Sequence, residues 1–133
     1  MLNIRLLPGN LIDPLVSKLK EIVNDPQVQF DVDTSIGQPA PSSSTDSDLY
    51  RTIGTVGAKL FPGATELPMM STYATDSAEL RQRSVQAYGL LPFPLTDDDL
   101  LRMHGNDERI PLDSFRKGVE FLYDIVEQFA VAK

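Results

Sequence analysis

The chain has 133 residues, of which 41% are hydrophobic and 23% are charged, enough apolar side chains for the core of one domain or of two small ones. Its 12 lysines and arginines stand against 19 acidic residues, and a net charge of −7 without a basic stripe excludes binding to the nucleic acid backbone. There is no cysteine, which excludes disulfides and thiolate ligands, and no apolar run approaches the roughly 20 residues that a membrane span requires.

The first third of the chain has the pattern of a strand, a helix and a second strand. Residues 2–6 and 28–33 alternate between apolar and polar side chains, which is the period of a half-buried strand. Between them, Asp13 is placed to cap a helix that has Pro14 at its first position and ends at residues 24–26. Such a βαβ unit has too little surface to bury both of its faces, so we expect it to need a neighbour.

A loop rich in proline and serine, residues 37–47, separates this unit from the remainder, and Ser47 is placed to cap the next helix. A helix is predicted over Asp48–Leu60. Its apolar residues recur at helical spacing: Leu49, Ile53, Val56 and Leu60. A short helix is predicted over residues 77–83, and a buried strand that breaks into an irregular loop is predicted over residues 85–95.

Two further helices are predicted toward the end of the chain. Residues 97–99 are three aspartates that lack the alternating ligands of a calcium loop, and carboxylates favour helix N-termini, so we predict a solvated helix start there. A long helix is predicted over Leu112–Val131. One of its faces is apolar: Phe115, Val119, Leu122, Val126 and Phe129. We expect this helix to pack on a sheet.

His104 is the only histidine, and Asp107 and Glu108 lie close to it in a polar loop. An imidazole binds zinc through one nitrogen while a neighbouring carboxylate orients the ring, but a loop-bracing or surface histidine fits the same context. Zinc centres take three or four protein ligands, and no other residue stands at a recognisable ligand spacing, so any co-ligands of His104 lie elsewhere. Arg5 also has two interpretations, capture of a substrate carboxylate or an exposed strand arginine.

Three segments stand out when they are taken in order: residues 2–9, residues 71–76 with Leu80 and Arg81, and residues 88–92 with residues 104–110. Together they resemble the zinc amidohydrolases and exopeptidases that include aminoacylase, carnosinase, acetylornithine deacetylase, succinyl-diaminopimelate desuccinylase and glutamate carboxypeptidase. The first segment is similar to the end of that family's lid domain, which is also its dimerisation domain. The second is similar to the loop beside the active site, and the third to the segment that ends in the last zinc-ligand histidine.

The resemblance implies an α/β fold. Residues 1–35 would be a βαβ piece of the α+β lid and dimerisation domain, and residues 36–133 would be part of the three-layer α/β/α catalytic domain. The chain would then be the carboxy-terminal portion of a zinc-dependent metallopeptidase or amidohydrolase that cleaves amide or peptide bonds of N-acyl amino acids or short peptides. The intact enzyme would bind two zinc ions. A homodimer and a cytoplasmic location are further expectations.

The same resemblance implies roles for individual residues. His104 would bind one of the two zinc ions, Glu108 would support its loop, and Arg5 would contact a substrate carboxylate. The substrate loop would be lined by Thr72, Ala74 and Thr75. The family's His-x-Asp ligand pair, bridging aspartate and Glu-Glu general base have no counterpart in this sequence. No catalytic residue is therefore expected in this chain, which would be inactive without its partner, the missing amino-terminal part.

Two interpretations from other classes stay open. One is a self-sufficient interaction or dimerisation module, whose opening strand pairs with another copy or with a partner, since exposed strand edges invite pairing. The other is an acid-base enzyme that uses paired carboxylates, although no spacing in the sequence favours it.

Overall fold

The structure is a computed structural model that describes residues 2–7, 9–33, 40–70 and 75–131. Within these ranges the chain forms five helices and no strand. The helices are α1 (Ile12–Val23), α2 (Asp48–Leu60), α3 (Ser77–Gln82), α4 (Asp97–Leu101) and α5 (Leu112–Val131). The chain divides into two compact units, one of Met1–Ser43 with Met70–Gly89 and one of Ser44–Met69 with Leu90–Lys133. No helix in the described part of the chain is long and apolar enough to cross a membrane.

The three predicted strands are not found. Residues 2–6, 28–33 and 85–95 are irregular chain, and the side chains of Leu2 and Ile4 are 76% and 47% exposed. A strand persists only when its backbone N–H and C=O groups pair with a neighbouring strand. The described ranges contain no such neighbour, so the strand predictions are wrong for this structure and the three-layer arrangement stays a prediction.

Helix α1 lies in the first unit and differs from its prediction at one end. It begins at Ile12 after Leu11, and no side chain caps it. The predicted cap at Asp13 is wrong, although a carboxylate in the first turn still suits the helix dipole. The predicted end is confirmed, because Asn24 adopts a left-handed conformation with φ 46° and donates its N–H to the Lys20 carbonyl at 2.9 Å.

Helix α3 of the same unit is tied to the chain on both sides of it. The Arg81 guanidinium donates to the Pro41 carbonyl at 2.9 Å and to the Ala87 carbonyl at 3.3 Å. The Ser43 hydroxyl donates to the Ala87 carbonyl at 2.8 Å and accepts the Ala87 N–H at 3.0 Å. The helix covers Ser77–Gln82, which confirms the prediction to within one residue.

Helix α2 of the second unit has its predicted bounds, cap and face. Ser47 accepts the Tyr50 N–H at 3.0 Å, and the helix ends before Phe61. Val56 is fully buried. The rest of the predicted face is partly buried against the same core: Leu49, Ile53 and Leu60.

Helix α5 has its predicted bounds but buries a different face. Its buried residues are Gly118, Phe121 and Ile125. Phe121 and Ile125 pack on α2, and the Phe121 ring meets the ring of Phe61, directly after α2, edge to face at 5.4 Å between centroids. Four of the five residues predicted to share the buried face are exposed: Phe115, Val119, Leu122 and Val126. At about 100° per residue the two stripes lie roughly a quarter turn apart. The expected packing on a sheet is therefore wrong within the described residues.

Candidate functional site

Helix α4 fixes the start of the segment that carries the only histidine. Thr96 caps the helix in a reciprocal box: its hydroxyl accepts the Asp99 N–H at 3.3 Å, and the Asp99 carboxylate accepts the Thr96 N–H at 3.1 Å. The Thr96 hydroxyl also donates to that carboxylate at 2.7 Å. This hydroxyl bond, followed by the backbone bond and by the charges of Arg102 and Arg109, lowers the pKa of Asp99 below its usual 3.8. The predicted helix start at the three aspartates is confirmed.

A tight turn follows the helix, and His104 lies exposed within it. The Gly105 N–H donates to the Arg102 carbonyl at 2.8 Å, and the Glu108 N–H donates to the Gly105 carbonyl at 3.3 Å. His104 between them is in the left-handed region with φ 65°, which is uncommon for a residue other than glycine. Its side chain is exposed and makes no hydrogen bond or ion pair with any residue that the structure describes.

The side chain of Arg102 braces this turn on three sides. Its Nε donates to the Asp107 carboxylate at 3.1 Å, its Nη1 donates to the Asp98 carbonyl at 3.2 Å, and Nη1 lies 3.8 Å from the Asp99 carboxylate. Gly105 allows the close approach, because a Cβ there would lie 3.0 Å from the Arg102 carbonyl and 3.2 Å from an Asp107 oxygen. The pattern of residues does not reveal this role of Arg102 and Asp107, since a spacing of five residues is not a helical pairing distance.

The other predicted site residues are exposed or lie outside the described residues. Arg5 is exposed in irregular chain, and Thr75 is exposed just before α3. Thr72 and Ala74 lie outside the described residues. Glu108 is exposed and reaches the turn through its backbone N–H rather than its carboxylate. Arg5 and Thr75 belong to the first unit, whereas His104 and Glu108 belong to the second. The assigned roles stay predictions.

The turn supplies one candidate metal ligand rather than a complete centre. Across the described ranges, no three histidine, cysteine, aspartate or glutamate side chains converge on a point where they could hold a metal ion. Asp107, the first carboxylate after His104 in the sequence, is engaged by Arg102 at 3.1 Å. The residues present therefore do not fit a self-contained metal centre, although the imidazole of His104 is free to serve as one donor.

A profile of peptidase family M20/M25/M40 matches residues 6–128, which is most of the chain and includes every helix up to the last turn of α5. This family is hydrolytic, comprises peptidases and amidohydrolases, and is generally metal-dependent. The chain belongs to peptidase family M20/M25/M40, which confirms the resemblance seen in the sequence.

Two relatives illustrate the match. A probable carboxypeptidase S-like 2 of Dictyostelium discoideum is 26% identical over 126 residues, covering 95% of this chain and 24% of the relative. The human N-fatty-acyl-amino acid synthase/hydrolase PM20D1 is 27% identical over 128 residues, covering 94% of this chain and 25% of the relative. The chain thus spans about a quarter of the length of the curated relatives it matches. No solved structure gives a significant match.

Proposed function

We propose that this chain is the carboxy-terminal portion of a zinc-dependent M20 hydrolase, that it contributes His104 as one zinc ligand, and that it is inactive by itself. The intact enzyme would hold two zinc ions and cleave amide or peptide bonds of N-acyl amino acids or short peptides. The remaining zinc ligands and the general base would come from polypeptide that this chain lacks. In this proposal the active site of the M20 enzyme is formed by residues from two parts of the polypeptide, of which this chain is one.

The observation that carries the proposal is the exposed imidazole of His104 on a braced turn. A histidine in a left-handed conformation is held there by the surrounding chain, and such conformations are enriched at functional sites. The ring makes no hydrogen bond or ion pair with the described residues that would account for its position. One nitrogen donor without neighbouring ligands is what is expected when a metal centre is assembled from distant parts of a protein.

Exposed apolar side chains on α5 support the claim that the chain is a portion of a larger fold. The core of buried hydrophobic residues in the described ranges is small: Val56, Phe121 and Ile125. Helix α5 buries one stripe on α2 and leaves a second apolar stripe open, in which Val119 is 50% and Val126 is 66% exposed. A contiguous apolar surface of this kind usually marks an interface. The expected occupant is the missing amino-terminal part.

The substrate class rests on the relatives and on one arginine. One relative is described as carboxypeptidase S-like and the other as an N-fatty-acyl-amino acid synthase/hydrolase, so both names point to amide bonds next to an amino acid carboxylate. The exposed guanidinium of Arg5 suits bidentate capture of such a carboxylate. Thr72, Ala74 and Thr75 are the proposed lining of the substrate loop.

The first test uses the chain alone. Purified protein is assayed for bound zinc by mass spectrometry and for hydrolysis of N-acetyl and N-fatty-acyl amino acids and of dipeptides. We expect well below one zinc ion per chain and no turnover, because one imidazole supplies too few ligands for a zinc site. Metal-dependent turnover by the purified chain would contradict the claim of inactivity.

The second test restores the missing part. The reading frame upstream of this chain is sequenced for a His-x-Asp pair and a Glu-Glu pair, and the encoded polypeptide is co-expressed with the chain. Zinc binding and hydrolysis should then appear together. His104→Ala should remove both, whereas Asn106→Ala in the same turn should retain them. Equal zinc affinity in the His104→Ala and Asn106→Ala assemblies would rule out His104 as a ligand.

The exposed stripe of α5 also favours a second candidate, an interaction or dimerisation module without catalysis. In that case the stripe would be covered by another copy or by an unrelated partner. Co-expression with the upstream polypeptide separates the two candidates, because zinc binding and hydrolysis are expected only of the hydrolase portion, and light scattering gives the oligomeric state of the chain alone. An upstream frame without the His-x-Asp and Glu-Glu pairs would favour the module as well.

A further inference from the structure

We infer that Arg102 is a positioning residue, which clamps the turn after α4 so that the exposed imidazole of His104 is held in a fixed orientation. The inference rests on the proposed function of His104 and assigns the means by which that ligand is oriented. Metal-binding histidines need a fixed ring orientation, which residues around the ligand usually provide.

The contacts of Arg102 reach both sides of His104 along the chain. On the preceding side, the guanidinium meets the Asp98 carbonyl at 3.2 Å and the Asp99 carboxylate at 3.8 Å, which anchors it to α4. On the following side, Nε donates to the Asp107 carboxylate at 3.1 Å. The guanidinium of Arg102 thus connects the chain before His104 to the chain after it. The backbone of His104 lies between these two contacts.

Burial and charge favour Arg102 over the other basic groups near the turn. Its side chain is 28% exposed and faces two carboxylates, of which Asp99 is 12% exposed and itself fixed by the capping box of α4. A partly desolvated guanidinium with several partners is held more firmly than a surface ion pair, which is worth about 0–1 kcal/mol. Arg109 is exposed and makes no ion pair with the residues that the structure describes.

The backbone of Arg102 also contributes to the geometry of the turn. The Gly105 N–H donates to the Arg102 carbonyl at 2.8 Å, so the backbone of Arg102 closes the turn while its side chain closes the larger loop to Asp107. Lysine carries the same charge but presents no planar fork, so it is expected to keep one of these contacts rather than all three. Arg102→Lys is therefore expected to give an intermediate result.

Backbone dynamics of the full chain test the inference. Isotope-labelled protein is compared by nuclear magnetic resonance with Arg102→Ala, Arg102→Lys and the control Arg116→Ala, which removes an exposed arginine that pairs with Asp113 on α5. In Arg102→Ala the order parameters of His104 and Gly105 should fall from about 0.85 toward 0.6 or below, the range of flexible backbone. The single histidine ring signal should sharpen, and Arg102→Lys should lie between the two.

A merely structural role would give a different result. If Arg102 only stabilised the protein, Arg102→Ala would lower the midpoint of thermal unfolding and loosen α2 and α5 as much as the turn, and that outcome would overturn the inference. Unchanged order parameters at His104, or an equal fall in Arg116→Ala, would overturn it too. Asp107→Asn removes the charge partner at nearly constant size, and it should reproduce the loosening of the turn if Arg102→Ala does not fold.

The restored enzyme separates this inference from the proposed function, with Zn²⁺ as the probe. We expect Arg102→Ala to weaken Zn²⁺ binding about 10- to 100-fold, the usual effect of removing a group that orients a ligand. Weaker binding in His104→Ala but not in Arg102→Ala would contradict the inference and leave the proposed function intact. Unchanged binding in both would contradict the proposed function, and the dynamics of the turn would still decide whether Arg102 is its clamp.

Discussion

At the scale of single residues, identity and surroundings contribute differently to the site. The sequence singles out His104, because it is the only histidine and lies among acidic residues. Its left-handed conformation is visible only in the structure, as is the contact of Arg102 with Asp107 at 3.1 Å across the loop. Such a pairing is decided by the path of the backbone and not by any regular spacing, so the pattern of residues does not reveal it.

Two glycines within helices make the influence of surroundings measurable. A Cβ at Gly118 of α5 would clash with the Phe93 ring and lie 3.1 Å from the Pro92 carbonyl, whereas at Gly57 of α2 it would meet only the Phe121 ring at 3.9 Å. Phe93 is also stacked on Phe115 at 6.0 Å between centroids, so a shift of its ring would disturb that contact. Gly118→Ala should lower the free energy of unfolding by about 1–3 kcal/mol, the cost of overpacking.

Gly57→Ala is the matched control, since alanine is a better helix former by up to about 1 kcal/mol and has room at this position. It should raise the free energy of unfolding. Urea denaturation of both variants provides the measurement. If the two substitutions change stability in the same direction by similar amounts, the space around Gly118 is not what selects glycine there.

At the scale of elements, the helices follow their local signals closely. Helix α2 begins after Ser47 and α5 covers Leu112–Val131, as the caps and apolar spacings predict. These signals act within one or two turns of the chain, so a short segment carries all the information they need. The strands predicted at residues 2–6, 28–33 and 85–95 differ because a strand needs hydrogen bonds from a distant segment.

The capping box of α4 predicts a dependence on pH. The lowered pKa of Asp99 means that its carboxylate form is favoured in the folded state, chiefly by the Thr96 hydroxyl. The resulting stabilisation is present above the unfolded pKa of about 3.9 and is lost as the pH falls through the lower folded value. The titration of the Asp99 carboxyl carbon, followed by nuclear magnetic resonance, should therefore have its midpoint below 3.8.

Thr96→Ala should move that midpoint up toward the ordinary value and weaken α4 by about 1 kcal/mol, as is usual when an N-cap is lost. Thr96→Ser keeps a hydroxyl at the same place and should titrate like the parent protein. A midpoint that is the same with alanine and with threonine would show that the hydroxyl does not hold the carboxylate.

At the scale of the whole molecule, the two apolar stripes of α5 have different roles. Phe121 on the inner stripe is 5% exposed, while Leu122 and Val126 on the outer stripe are 42% and 66% exposed. Phe121→Ala should therefore cost about 3–5 kcal/mol of unfolding free energy, as is typical of a buried aromatic residue. Replacing Leu122 and Val126 together by glutamine should change it by less than about 0.5 kcal/mol, as is typical of surface sites.

The same double substitution should reduce the binding of a hydrophobic dye and the self-association of the chain, because it breaks up the exposed apolar surface. Denaturation and light scattering measure the two effects separately. A loss of stability as large as that of Phe121→Ala would mean that the outer stripe is part of the core of this chain and is not a surface for a partner.

The sequence by itself determined the positions of the helices, the Ser47 cap of α2, the face that α2 buries and the membership of peptidase family M20/M25/M40. Capping and helical periodicity act between residues that are close together in the chain. Family membership is indicated by several short segments that occur in the same order as in the family. Only the tertiary structure decided which stripe of α5 is buried, how Arg102 holds the turn of His104, and that the alternating segments remain irregular. Each of these depends on a surface or a hydrogen-bonding partner that lies elsewhere in the fold, and an apolar pattern shows that a face can be covered without showing what covers it.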